Sequence, residues 1–155
     1  MLQRIQTIYL LISAVLFCAL FFLPLAAVRA GDVFYTFQVA GLFTSLSPAE
    51  LVYPTWSLMV IAVIIVLSFF LCIFMYRKRI LQIRICIFNI LLMIGFCVLT
   101  GFYLWQFYHS PDLSNLKIYF RFGGSFPIIA IILNYLAIRN IGADETLVRS
   151  LNRLR

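Results

Sequence analysis

Apolar residues run almost unbroken over 5–28, 54–76, 85–108 and 122–141, and the polar residues gather in the segments between them. Each run is close to the ~20 residues a helix needs to cross a hydrocarbon core of about 30 Å. The pattern predicts four membrane-spanning helices, with loops at 29–53, 77–84 and 109–121 and a tail at 142–155. The expected fold class is an all-α membrane protein, a single domain over 1–155 built as a four-helix transmembrane bundle with both termini on one side. Valine and isoleucine are frequent in the second run, but a helix in lipid satisfies its own backbone, so they are no obstacle. The first run exceeds the ~7–15 apolar residues of a signal peptide, which favours a retained helix although Val28-Arg29-Ala30 resembles a cleavage site.

The connecting segments carry other periods. In 33–39 the β-branched and aromatic residues predict a strand, Ala40-Gly41 a turn, and 42–46 a returning strand. Ser47-Pro48-Ala49-Glu50 has the form of a helix-capping box, and Ser110-Pro111-Asp112 that of a turn. Residues 116–121 alternate apolar and polar with period two, so a small β-cap is expected where the two loops meet. Gly142 is expected to end the fourth helix. Asp144 and Glu145 would then open an amphipathic C-terminal helix, with arginines at its end as the helix dipole prefers.

Composition strengthens the membrane reading. The chain is 65% hydrophobic and 11% charged, with a mean hydropathy of +1.07, too little polar surface to cover a water-soluble domain. The net charge of +7 reflects 12 basic against 5 acidic residues, and the basic ones are scattered over loops and form no continuous track for nucleic acid. Their distribution reports orientation instead. Arg4, Arg77, Lys78, Arg79, Arg84, Arg139, Arg149, Arg153 and Arg155 fall on one side, and Arg29, Lys117 and Arg121 on the other. By the positive-inside rule both termini are cytoplasmic. Cys18, Cys72, Cys86 and Cys97 lie within apolar runs without a C-x-x-C spacing, so no disulfide framework, metal site or cofactor is expected.

Three runs on the basic side carry a family resemblance: Gln3-Arg4-Ile5-Gln6-Thr7-Ile8-Tyr9, the segment 79–84, and the tail from Asp144-Glu145 through Leu147-Val148-Arg149-Ser150 to Asn152-Arg153-Leu154-Arg155. The chain resembles, over essentially its full length, an uncharacterised family of four-helix integral membrane proteins of Bacteroidota. That resemblance implies a bacterial inner-membrane location and no particular activity.

The candidate chemistry is sparse. No Asp, Glu, Lys, Arg or His lies in the body of any span, Arg139 standing at the end of the fourth, whereas proton relays and ion pathways place such groups there. Asn89 and Asn134 are each five residues from a bordering arginine, Arg84 and Arg139, so on antiparallel helices they reach similar depth and form a candidate interhelical pair. His109, with Asp112 nearby and Asp32 or Glu50 across the loop, lacks the spacing of a metal or catalytic site. Gln3, Arg4, Gln6, Arg79, Gln82, Arg84, Asp144, Glu145, Arg149 and Arg153 form a candidate cytoplasmic interaction surface. They serve either a partner in an inner-membrane complex or the tail folding back, with arginines on anionic lipid. Phe34, Tyr35, Phe37, Phe43, Tyr119 and Phe120 form a second candidate surface on the far side. The expected function is that of a non-enzymatic accessory or scaffold subunit, and the alternative is a lipid or small-molecule binding protein or transporter.

Overall fold

The computed structural model of the chain describes residues 2–30, 33–45, 50–75, 78–109 and 116–153; the side chains of 2–4, 30, 116 and 144–153 are outside that description. The elements are α1 (Leu2–Ala19), β1 (Ala26–Ala30), β2 (Val33–Gln38), β3 (Gly41–Thr44), β4 (Leu51–Pro54), α2 (Trp56–Phe74), α3 (Arg79–Tyr108), β5 (Leu116–Phe120), a 3-10 turn (Phe122–Ser125) and α4 (Phe126–Arg153). The five strands form one antiparallel sheet in the order β4-β3-β2-β1-β5. The all-α class expected from the apolar runs is therefore corrected: four helices carry a five-stranded sheet.

The largest departure is in the first run, where a single span over 5–28 was expected. The helix ends at Ala19, and Ala26–Ala30 becomes a strand hydrogen-bonded on both sides. Pro24 explains the stop, because it has no N–H to donate and restricts the residue before it. A buried strand reads as a continuous apolar stretch, and here that stretch adjoins a helix without a polar break. Ala26 and Val28 are buried on the helix-facing side. The expected strands of the two loops form as β2, β3 and β5, but the loops do not pair directly, since β1 lies between β2 and β5. The segment 47–49 of the expected capping box lies outside the described residues, as does the turn at 110–112.

Two further boundaries move. The segment 79–84, expected in a loop, is the first turn and a half of α3. Gly142 does not end the fourth helix, which continues to Arg153; one internal glycine costs only about 1 kcal/mol. The separate C-terminal helix is thus a continuation of α4.

α1 packs against α2 and α4, and α3 against α2 and α4. At the centre Phe17, Phe69 and Phe96 are fully buried; Phe17 meets Phe96 edge-on at 5.7 Å between ring centroids and Phe69 at 6.2 Å. The sheet sits at the end where α3 finishes. Phe107 lies edge-on to Phe37 of β2 at 5.6 Å and to Tyr53 of β4 at 5.7 Å. Buried Thr55, just before α2, donates its hydroxyl to the Val39 carbonyl at 2.9 Å, tying the β2–β3 turn to the helix.

Three helices, Trp56–Phe74, Arg79–Tyr108 and Phe122–Ala143, are long and apolar enough to cross a membrane; Ile5–Ala19 is a shorter apolar helix. Their outward faces expose Leu11, Val15, Leu67, Phe70, Leu91, Val98 and Ile132, a surface suited to hydrocarbon rather than water. Exposed aromatics cluster where the helices meet the sheet: Phe22 after α1, Trp56 at the start of α2, Trp105 and Tyr108 at the end of α3, and Phe120 and Phe122 before α4. This girdle has the composition of a membrane–water interface.

Candidate functional site

Two regions carry polar chemistry, one at each end of the helices. At the end where α2 hands over to α3, the interior is unusually polar for an apolar chain. Gln82 donates its Nε2 to the Cys72 carbonyl at 3.3 Å, and the Cys72 thiol points back at the Gln82 carbonyl at 3.7 Å. Cys72 and Cys86 bring their sulfurs to 3.1 Å as a thiol–thiol contact. Asn134 of α4 donates Nδ2 to the Cys86 carbonyl at 3.0 Å. These bonds join α2, α3 and α4, and all four side chains are buried. Fourteen residues separate the two cysteines, and only the α2–α3 turn brings them together, so no local spacing marks them in the sequence.

The structure redistributes the expected surface at this end. Gln6 and Gln82 are 4% exposed and belong to the interior, which removes them from a partner-facing set. Arg84, Lys78 and Arg139 are exposed, and Arg79 is half-buried. The side chains of Gln3, Arg4, Asp144, Glu145, Arg149 and Arg153 lie outside the described residues.

The asparagine pair is corrected as well. Both residues are fully buried, but Asn134 reaches the α3 backbone at Cys86 and not the Asn89 side chain. Neither amide atom of Asn89, nor Oδ1 of Asn134, nor Nε2 of Gln6 has a hydrogen-bond partner. A buried unpaired amide costs about 1–3 kcal/mol, and a similarly shaped apolar group removes that cost. Asn89→Leu is therefore expected to raise the melting temperature in detergent, whereas Asn134→Leu, which forfeits a made bond, is expected to lower it or leave it level. Melting curves of the two variants against wild type check the order.

At the sheet end, an apolar crevice of about 210 Å³ opens between α3 and α4 beneath β1. Cys97, Thr100, Gly101 and Leu104 form one wall, Gly124, Pro127 and Ile128 the other, and Leu25 and Ala26 the floor. Phe120 closes its rim and also borders a shallower concavity shared with Arg121, Phe122 and Ser125. Arg121 is exposed there.

The far-side aromatics divide between two roles. Phe37 is fully buried, Tyr35 is half-buried against the core, and Phe43 is half-buried on the opposite face of the sheet. Phe34, Tyr119 and Phe120 are exposed, and the Arg29 guanidinium lies 5.1 Å from the Phe34 ring centroid. His109 belongs to the aromatic girdle: Nδ1 is 3.1 Å from the Trp105 carbonyl, and its ring centroid is 4.8 Å from that of Trp105. Glu50 is exposed, while Asp32 and Asp112 lie outside the described residues. Among the described residues no group of three or more His, Cys, Asp and Glu side chains converges on a metal-sized site.

Residues 2–154 match the family described as Domain of unknown function (DUF4293). No curated protein matches the chain.

Proposed function

We propose that this chain, which belongs to the DUF4293 family, is a non-enzymatic accessory or scaffold subunit of the bacterial inner membrane. It is multi-pass, with both termini cytoplasmic, and docks a partner through its basic end. The observation that carries this reading is the filled centre of the helices. Phe17, Phe69 and Phe96 close it with rings at 0% exposure, which weighs against a transport path between the helices. Inward-facing Gln82 and Asn134 are spent on tying the helices together, while Lys78, Arg84 and Arg139 point outwards. The excess of basic residues on that side supports the cytoplasmic orientation.

The test is a photo-crosslinking amino acid placed at Arg84 or Arg139 in membranes of the source cells. The docking reading expects one and the same protein partner from both sites, and lipid alone from Phe88, which is exposed one turn further along α3. Lipid adducts alone from all three positions overturn it. A second reading, lipid binding, is favoured by the crevice at the opposite end and is developed next.

A further inference from the structure

We propose that the α3–α4 crevice seats one acyl chain of an anionic phospholipid in the leaflet on the sheet side, with Arg121 and Ser125 at the headgroup. This site is independent of docking at the basic end. Four observations lead to it.

The crevice is lined almost wholly by apolar atoms, and its ~210 Å³ exceeds the ~150 Å³ of a dry apolar cavity that admits benzene. An aqueous solute would gain little there. Its position selects a lipid, because the exposed aromatics Trp105, Tyr108, Phe120 and Phe122 ring the adjoining level. A mouth at this depth opens just inside the interface, where acyl chains begin.

The polar group at the mouth then selects the headgroup. Phe120 borders both concavities, so a chain lying along the crevice brings its phosphate past the Phe120 rim to Arg121 and Ser125. Arginine matches a phosphate with paired N–H donors, and the serine hydroxyl adds a further donor. Lys117, exposed on the outer face of β5, adds positive charge at this end of the molecule. The complement to this cationic mouth is an anion.

Finally, the α3 wall of the crevice lacks a side chain at Gly101. A Cβ added to Gly101 would meet nothing within 4 Å, so the space above α3 is vacant rather than filled by a neighbour. Gly95 on the same helix is equally unobstructed but does not line the crevice, which makes it a matched control.

The experiment uses the full chain in nanodiscs containing equal amounts of phosphatidylglycerol and phosphatidylcholine, released gently and weighed with bound lipid by native mass spectrometry. Wild type and Gly95→Leu are expected to retain one phosphatidylglycerol per chain. Gly101→Leu is expected to lose it by a factor of about ten, and Ile128→Trp, which narrows the crevice from the exposed face of α4, should do the same if the first variant folds poorly. Arg121→Gln should keep a lipid but lose the roughly fivefold preference for the anionic headgroup that one arginine near the membrane surface supplies. Retention unchanged in folded Gly101→Leu or Ile128→Trp, or lost equally in Gly95→Leu, overturns the acyl seat. An unaltered lipid ratio in Arg121→Gln overturns the headgroup assignment.

Discussion

Phe17→Ala is expected to destabilise the protein by about 3 kcal/mol, while Phe22→Ala, five residues on, leaves the melting curve almost unchanged. Truncating a buried phenylalanine typically costs about 3–5 kcal/mol, part from transfer out of water and part from the cavity left behind. In lipid the transfer part shrinks, because hydrocarbon tails are as apolar as the core, so the lower end applies. Phe17 is the middle ring of its cluster and holds both Phe69 of α2 and Phe96 of α3. Its loss leaves two rings facing a void, and the shorter apolar helix loses its ring contacts to α2 and α3. Phe22 is 84% exposed and packs against little. Thermal unfolding of both variants in one detergent is the measurement, and equal melting of the two would show that the centre is not packed as described.

Gly123→Ala should be more damaging than Gly124→Ala or Gly101→Ala, by about 1–3 kcal/mol or more, the range of overpacking in a tight interior. A Cβ there would stand 2.5 Å from the Pro24 carbonyl oxygen and 3.1 Å from its carbon. Both are backbone atoms that cannot swing aside. Their segment is fixed by Leu25, whose N–H donates to Phe37 at 2.8 Å and whose carbonyl accepts from Arg121 at 3.3 Å. Gly124→Ala should cost less, since its Cβ would lie 3.0 Å from the Leu25 oxygen, and Gly101→Ala should be neutral or stabilising. The melting order Gly123→Ala, Gly124→Ala, Gly101→Ala from lowest to highest checks the contact between the turn before α4 and the start of β1. That contact ties the first and last quarters of the chain together.

The same junction explains what the sequence could and could not reveal. The long apolar runs of α2 and α3 declare themselves by length. β2 and β3 show as β-branched and aromatic residues around Ala40-Gly41. β1 is hidden because Ala26–Ala30 follows a helix with no polar break, and the strand partners that make it a strand arrive from 33–38 and from 116–120. β4 is hidden for a related reason: Leu51–Pro54 ends in a proline and leads into a helix, a pattern that reads as a helix start, and an edge strand is where a proline fits.

The polar residues follow a parallel rule. Depth is legible from spacing, but direction is not. Gln6 and Gln82 read as surface amides because they stand beside arginines, yet each turns inwards. Asn89 and Asn134 read as a pair, yet a carbonyl one turn away takes the bond. The crevice itself left no motif, because its defining features are two glycines, Gly101 and Gly124, brought together from different elements.

The orientation proposed for this architecture is open to a direct measurement. Single cysteines introduced as Lys117→Cys on the sheet and Arg84→Cys on α3, both at exposed positions, can be challenged with a membrane-impermeant maleimide in intact cells, against the wild-type background. The account predicts that position 117 is labelled from outside and that position 84 is labelled only after the membrane is permeabilised. Labelling of position 84 from outside, or of both positions from the same side, would contradict it.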